Sequence, residues 1–233
     1  MDKALVVLSG GQDSTTCLFW AKFQFKEVHA ICFNYGQKHS LELESAKKVA
    51  EIANVPLEIV NVPQVLKGRS PLTNPNEQLE TYTNYEEMDS IIGDRVELTF
   101  VPMRNAFFLT LATNYALEKD IYNLVTGVCQ QDNANYPDCR DEFIRSQQQT
   151  INLALGLDTD EFKIYTPLMF LSKAESIKLA QTIPQAMEAL AFSHTCYAGE
   201  FPPCGKCHSC VLRAQGFKEA EVNDPLIERA THG

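Results

Sequence analysis

The sequence predicts an α/β protein in which a doubly wound, mostly parallel sheet is followed by a small C-terminal helical appendix. Short apolar runs alternate with stretches of helical spacing, polar loops follow the apolar runs, and four cysteines crowd together near the end. Strands that alternate with helices form parallel sheets with right-handed crossovers. We therefore expect a main domain over residues 1–190 and a four-cysteine subdomain over residues 191–233.

The first part of the chain has the strand–helix rhythm of a sheet that is buried on both faces. Apolar runs predict strands over residues 5–8, 27–33 and 57–62, with helices over residues 15–23 and 40–53. Residues 63–98 break this rhythm with several prolines and asparagines, so we expect a long irregular segment there. Loops of this length in compact domains are commonly functional lids or mobile segments.

Beyond residue 98 the alternation resumes. A strand that ends at Pro102 is expected to lead into Arg104. The later elements of the main domain are predicted as helices over 106–117 and 141–155 and strands over 121–126 and 163–165. Ligands of doubly wound sheets bind beyond the carboxyl ends of the strands. The polar loops 9–14, 34–39, 102–105, 127–140 and 166–173 all fall at that edge, so we expect one site there.

Helix start and stop signals define the end of the chain. Ser172 and Glu175 have the spacing of a capping box, which predicts a helix from there to about residue 181. Pro184 interrupts that helix, and a short helix is expected to resume through Leu190. A last, short helix is expected to begin near Cys207.

Composition limits the possible partners and compartments. The 20 Lys and Arg residues against 30 Asp and Glu give a net charge of −10, which argues against an extended basic surface for nucleic acid. No apolar run approaches the length of a membrane span, and the first residues do not resemble a secretion signal. We therefore expect a cytoplasmic protein that does not bind membranes or nucleic acid directly, and whose cysteines do not form disulfides.

The stretch between the first strand and the first helix has the composition of an anion-binding turn. Gly10 and Gly11 follow the apolar strand, with Ser9, Asp13 and Ser14 around them. Consecutive backbone N–H groups at a helix N-terminus bind phosphate, and glycine lets the backbone approach it closely. The spacing fits neither a Walker A motif nor a dinucleotide fingerprint. We therefore predict a phosphate site of another type.

A second motif is the cysteine cluster near the C-terminus. Its members are Cys196, Cys204, Cys207 and Cys210. Four thiolates at this spacing predict a structural zinc site, with one zinc per chain and no open position for catalysis. An iron–sulfur cluster is the main alternative, but the ferredoxin-type run would need a cysteine where Ala214 stands. We expect no visible absorbance and a loss of folding in Cys204→Ser.

Residues 9–14 match the Ser-Gly-Gly-x-Asp-Ser signature of the PP-loop ATP pyrophosphatases. With the four cysteines, they make nearly the whole chain resemble the 7-cyano-7-deazaguanine synthase family of the queuosine pathway. The other matching segments are 35–39, 100–105, 126–129, 136–143, 166–168 and 173–175. Two positions depart from the family pattern: Asn34 stands where an acidic residue is frequent, and Met103 stands where glycine is frequent.

The resemblance implies a Rossmann-type PP-loop fold and a ligase that uses ATP and Mg²⁺. 7-Carboxy-7-deazaguanine would attack the α-phosphate of ATP, and ammonia would convert the acyl adenylate to an amide. A second adenylation, on the amide oxygen, would lead to the nitrile. The resemblance also implies a homodimer. The residues that it assigns to ATP are Leu8, Ser9, Gly10, Gly11, Gln12, Asp13, Ser14, Thr15, Thr16, Cys17 and Leu18.

Four residues are candidates for catalysis, each with a plainer alternative. Asp13 is a candidate Mg²⁺ ligand, although it or Ser14 would also suit a helix N-cap. Arg104 is placed to meet a phosphate or carboxylate, or else to form a surface ion pair. Arg140 would bind substrate unless the neighbouring aspartates hold it. Lys173 is a further candidate, with a solvated surface position as the alternative.

The candidates for substrate binding lie in three polar loops. They are Tyr35, Gln37, His39, Asp132 and Tyr136. The tyrosines would stack on a base or simply pack in the core. Asp132 would accept hydrogen bonds from the amino-pyrimidinone edge of a deazaguanine, or serve as a turn residue.

Two other functions fit parts of the pattern. The first is another PP-loop adenylating enzyme that transfers nitrogen or sulfur, although a tRNA-thiolating enzyme should carry a basic face. The second is a nucleotide-binding regulatory module without turnover, in which zinc supports a partner interface. Release of pyrophosphate that depends on the deazaguanine acid would separate these from the synthase.

Overall fold

The computed structural model describes residues 3–36, 41–62, 65–66, 68–74, 76–131 and 134–232. Its sheet has five parallel strands: β1 Lys3–Val7, β2 Glu27–Asn34, β3 Leu57–Asn61, β4 Asn123–Val125 and β5 Lys163–Tyr165. The strands lie in the order β3–β2–β1–β4–β5, which confirms the predicted doubly wound sheet. Because the chain extends the sheet in opposite directions from β1, the crevice beyond the end of β1 is the expected place for a ligand.

Helices cover both faces of the sheet. They are α1 Gln12–Gln24, α2 Leu41–Ala53, α3 Tyr85–Ile92, α4 Arg104–Glu118, α5 Asp141–Leu155, α6 Lys173–Gln181, α7 Ala186–Leu190, α8 His208–Ala220 and α9 Pro225–His232. A short 3-10 turn over Pro137–Cys139 precedes α5. No helix in the described part of the chain combines the length and apolar character needed to cross a membrane.

The alternation of side chains along β1 explains why the strand is apolar throughout. Ala4 and Val6 point into a core formed with α1, α2, α6, α7 and α8. Leu5 points into a second core, where residues of α4 and α5 such as Phe108 and Ile144 meet the other face. A strand buried on both faces has no polar side to expose, as the apolar run predicted.

The structure corrects four element predictions. Residues 63–98 are not irregular throughout, because α3 lies within them and is capped by Asn84, whose side chain accepts from the Glu87 N–H at 2.9 Å. Residues 98–103 form turns and not a strand, so Arg104 opens a helix directly. Helix α1 begins at Gln12, earlier than expected, and α9 follows α8 at the end of the chain.

The C-terminal segment packs against the main body of the protein. Helix α8 contacts α6 and α3. The buried guanidinium of Arg213 bonds to Asp224 at 2.6 and 2.8 Å and to Ser193 at 2.8 Å. The backbone N–H of His194 donates to the carbonyl of Gly10 at 2.8 Å, which fastens the segment to the turn after β1. A domain boundary near residue 190 stays a prediction.

Candidate active site

A cavity of about 530 Å³ opens beyond the carboxyl ends of β1, β2 and β4. Each of the five polar loops singled out from the sequence contributes to its wall, so the predicted convergence is present. The residues of those loops that line it include Ser9, Tyr35, Arg104, Tyr136 and Lys173. Its size suits a small ligand.

The turn between β1 and α1 forms one wall of this cavity. Gly11 is the N-cap of α1, and no side chain caps the first turn of the helix. The N–H groups of that turn have no intrahelical acceptor. Ser9 and Ser14 hold the turn closed, because their hydroxyl oxygens lie 3.0 Å apart and Ser14 Oγ donates to the Gly11 carbonyl at 3.1 Å. An uncapped helix N-terminus of this kind is suited to an anion.

The two glycines of the turn have different roles. Gly10 has a φ of +86°, and a Cβ there would lie 2.4 Å from the Glu42 carbonyl oxygen and 2.7 Å from the Ala46 nitrogen. Glycine is therefore required at residue 10 for the close approach of α2. Gly10 is absent from the described cavity wall, whereas Gly11 lines it. The expectation that Gly10 also lets the backbone approach an anion stays a prediction.

Of the eleven residues that the resemblance assigns to ATP, six line the cavity. These are Leu8, Ser9, Gly11, Gln12, Asp13 and Ser14. Thr15, Thr16, Cys17 and Leu18 lie buried on the core side of α1. Burial, followed by the Asp13 charge, raises the pKa of the Cys17 thiol, whose Sγ donates to the Thr126 carbonyl at 3.7 Å.

Asp13 does not cap α1, which corrects the N-cap alternative for Asp13 and Ser14. Its carboxylate oxygen Oδ2 lies 2.8 Å from the ammonium of Lys173. Lys173 is the first residue of α6, and the predicted capping box of Ser172 and Glu175 is present there. The side chain of Lys173 is only 10% exposed, so the solvated alternative for this lysine is wrong.

Arg104 lies at the opposite side of the cavity among three tyrosines. Its guanidinium donates to the Tyr35 hydroxyl, and the Tyr136 hydroxyl is hydrogen-bonded to Tyr197. Burial raises the pKa of all three phenols, so they remain neutral beside the cation. Arg104 forms no ion pair with any residue that the structure describes, which argues against the surface-pair alternative.

Tyr35 and Tyr136 both pack against phenylalanine rings. Tyr35 is 9% exposed and contacts Phe108 with ring centroids 5.3 Å apart. Tyr136 contacts Phe100 at 5.5 Å, and its hydroxyl donates to Glu97 at 3.4 Å. Both rings therefore pack as the plainer alternative expected, yet both also reach the cavity.

Arg140 lines the cavity because its neighbouring aspartates are engaged elsewhere. Asp138 accepts from the backbone N–H of Asn105 at 3.2 Å and from its side-chain amide at 3.1 Å. Asp141 pairs with Arg145 at 2.7 Å. Among the described residues neither aspartate holds Arg140, so internal pairing is not what fixes this side chain.

Three of the predicted substrate residues, Gln37, His39 and Asp132, lie outside the described residues. Sequence reasoning also missed other residues of the cavity wall, among them Glu42, Thr195, Tyr197 and His208. Three of these directly adjoin cysteines of the cluster, because Thr195 and Tyr197 flank Cys196 and His208 follows Cys207. The short separation between Cys196 and Tyr197, and between Cys207 and His208, is the signal that could have identified them.

The four cysteines form a compact cluster in which the Sγ atoms all lie within 4.8 Å of one another. Backbone N–H groups of Cys204, Lys206 and Cys207 donate to sulfur at 3.4 Å, an arrangement that stabilises thiolates. Sulfurs around one tetrahedral ion at about 2.3 Å lie roughly 4 Å apart. The cluster therefore has the donors and the spacing of a metal site.

The sheet order, and the Ser9–Ser14 turn between β1 and α1, define an α/β protein of the PP-loop type. The family described as "Queuosine biosynthesis protein QueC" matches residues 3–221. The chain belongs to this family.

Two relatives identified by sequence agree with that assignment. The chain is 48% identical to the 7-cyano-7-deazaguanine synthase of Laribacter hongkongensis, over 98% of this chain and 95% of the relative. It is 47% identical to that of Chromobacterium violaceum, over 98% and 94%. Among solved structures, a 4-thiouridine synthetase–RNA complex with bound ATP is similar with a TM-score of 0.48 and 17% identity, over 99% of this chain and 54% of the other.

Proposed function

We propose that this protein converts 7-carboxy-7-deazaguanine and ammonia to 7-cyano-7-deazaguanine at the expense of ATP. The observation that carries the proposal is that one cavity joins an uncapped helix N-terminus to the guanidinium of Arg104. Such a cavity suits a reaction between a polyphosphate and a carboxylate. The 48% identity to a named synthase over 98% of the chain supports the choice of acid.

ATP binds with its pyrophosphate end on the turn between β1 and α1. The amides of the first helical turn, the Ser9 hydroxyl and the Lys173 ammonium surround this place. Asp13 holds Lys173 there through the 2.8 Å ion pair. These donors favour the departing pyrophosphate over the bound triphosphate, because negative charge accumulates on it as the bond breaks.

Arg104 orients the carboxylate of the deazaguanine. A guanidinium matches a carboxylate with two parallel hydrogen bonds, and partial burial strengthens them. The neutral hydroxyls of Tyr35, Tyr136 and Tyr197 surround the same place and can donate further bonds. Arg140, at the rim of the cavity, supplies a second cation toward the same ligands.

The reaction proceeds in two adenylations. A carboxylate oxygen attacks the α-phosphorus and pyrophosphate leaves. Ammonia then attacks the acyl carbon, AMP leaves, and the amide results. In the second half the amide oxygen attacks the α-phosphorus of a new ATP and pyrophosphate leaves. Loss of two N–H protons with departure of AMP then gives the nitrile. Positioning and charge stabilisation supply most of the rate.

We assign zinc to the four-cysteine cluster, where it has a structural role. The compact spacing of the sulfurs fits a single ion, and four protein ligands leave no position for substrate. Mg²⁺ enters with the nucleotide, since it keeps few protein ligands and binds phosphates. Asp13 offers a carboxylate for it in the described wall, shared with Lys173, and Mg²⁺ would supply charge neutralisation of the phosphates.

The same proposal includes a cytoplasmic homodimer. All eight cysteines are free thiols, four of them grouped as metal ligands, which is typical of a reducing compartment. Light scattering after size-exclusion chromatography tests the dimer, since a monomeric mass would contradict it.

The activity is tested with purified protein, ATP, Mg²⁺, ammonium and 7-carboxy-7-deazaguanine. We expect AMP, pyrophosphate and a product of nitrile mass by mass spectrometry, with the amide as a transient species. Pyrophosphate release that does not depend on the acid would contradict the proposal and favour another adenylating enzyme. Nucleotide binding without any turnover would favour a regulatory module.

A further inference from the structure

Three polar atoms in the cavity wall are buried without a hydrogen-bond partner among the residues that the structure describes. They are Gln12 Nε2, Thr195 Oγ1 and His208 Nε2. Gln12 and His208 are each only 3% exposed. A buried polar group without a partner loses its hydrogen bonds to water, so such groups are rarely left unsatisfied in a protein that has its ligand.

All three atoms belong to residues beside the turn that follows β1. Gln12 is the first residue of α1. Thr195 lies against Gly11, because a Cβ on Gly11 would be 3.6 Å from Thr195 Cγ2. His208 lies near Lys173, whose positive charge acts on the imidazole of His208. All three residues therefore lie in the cavity wall near the N-terminus of α1.

The cysteine cluster holds two of these residues in place. Thr195 directly precedes Cys196, and His208 directly follows Cys207, which is the N-cap of α8. The Ser209 hydroxyl donates to the Thr195 carbonyl and ties the two short segments together. The metal site and the phosphate turn are thus adjacent parts of one structure.

We infer that Thr195 and His208, together with Gln12, bind the pyrophosphate end of the nucleotide. The inference rests on the proposed use of ATP and adds the C-terminal segment to the nucleotide site. A hydroxyl, a side-chain amide and an imidazole N–H are all donors, and phosphate oxygens are acceptors. Their position beside an uncapped helix N-terminus selects an anion over the base or the sugar.

The position of Thr195 and His208 beside the cysteine cluster has a consequence for the role of the metal. The cluster positions two binding groups, so its integrity matters for nucleotide affinity and not only for folding. The cluster therefore joins a structural metal to the binding of a substrate, although the metal has no open position itself.

The test compares metal-replete, full-length variants by titration calorimetry with inorganic pyrophosphate, ATP and AMP. We expect Thr195→Val and His208→Ala each to weaken pyrophosphate and ATP roughly tenfold, the effect of losing a hydrogen bond to a charged group. AMP binding should stay unchanged. Thr195→Ser and His208→Gln, which keep a donor, should retain affinity within about threefold of the wild type.

Metal content and thermal unfolding of each variant are measured in parallel, so that a loss of structure is recognised. His29→Ala, in β2 and outside the cavity wall, where His29 bonds to Glu27, serves as the matched histidine control. Wild-type-like pyrophosphate binding in Thr195→Val and His208→Ala, or equal weakening of AMP, would overturn this inference alone. Absence of ATP binding by the wild type would overturn the proposed function as well.

Discussion

The ammonium group of Lys173 lies 2.8 Å from a carboxylate oxygen of Asp13, across 160 residues of sequence. This ion pair joins the first turns of α6 and α1. The stem of the lysine runs over Gly216 of α8, where any Cβ would lie 2.5 Å from Lys173 Cγ. Three helices thus fix one cation at the edge of the cavity.

Lys173→Met should remove this cation while keeping the length of the side chain. We expect kcat for pyrophosphate release to fall roughly 10²–10³-fold, as when a preorganised donor is removed from an anionic transition state. Lys178→Met, on the exposed side of the same helix, should leave the rate unchanged. A fall of less than about threefold in Lys173→Met would contradict the role of this lysine.

Gly216→Ala tests the contact between α8 and the lysine stem. Alanine normally favours a helix by about 1 kcal/mol over glycine, but overpacking here should reverse the sign and cost about 1–3 kcal/mol. The displaced lysine should also lower kcat. Urea unfolding and steady-state kinetics measure the two effects, with Lys218→Ala on the exposed face of α8 as control. A more stable, fully active variant would refute the contact.

Met103→Gly should stabilise the protein. Met103 has a φ of +64° as the N-cap of α4, and its side chain is 67% exposed, so little packing is lost. Relief of the left-handed strain should outweigh the added freedom of the unfolded chain by about 0.5–1 kcal/mol. The urea midpoint should rise in Met103→Gly but not in Met103→Ala, which keeps a Cβ. An unchanged midpoint in both variants would argue against strain.

Cys204→Ser removes one sulfur from the cluster. We expect the metal content to fall from about one ion per chain and the cooperative unfolding transition to be lost, because the folding energy of a structural site comes from all four ligands. Elemental analysis and calorimetry provide the measurements. Cys139→Ser, outside the cluster, should retain the metal. A visible iron–sulfur absorbance in the wild type would contradict the assignment of zinc.

Glu42→Gln should make stability less dependent on pH. Burial raises the pKa of Glu42 to about 7, against a smaller opposing effect of Arg104. The folded state therefore binds a proton that the unfolded state releases, so stability should decline as pH rises from about 4.5 through about 7. At about pH 8 Glu42→Gln should exceed the wild type by about 1–3 kcal/mol. Glu44→Gln, exposed on the same helix, is the control, and parallel curves would refute the prediction.

The parts of the fold that could be predicted are those set by local patterns. Strand β5 and helix α5 have the expected bounds, and the capping box of Ser172 and Glu175 is formed as its spacing indicated. Helix α3 was not predicted, because it is only eight residues long and lies within an acidic, proline-containing stretch. Asn84 and Glu87 nevertheless carry a capping signal for it. Short helices depend on tertiary packing, here against α8.

The parts of the site that could not be predicted depend on distant contacts. The need for glycine at residue 10 comes from the backbone of α2, which the local motif does not contain. Asn105 engages Asp138, a contact between residues far apart in sequence that the local run around Arg140 does not reveal. The direction in which His208 points is set by the fold of the cysteine cluster, and cysteine spacing alone does not define it.

The hydrogen bond from His194 to Gly10 has a consequence for biosynthesis. The turn at residue 10 leaves the ribosome long before its partner at residue 194. A nascent chain can therefore form much of its sheet while the nucleotide cleft still lacks one wall. This wall of the reactive centre can therefore form only after residue 194 has been translated.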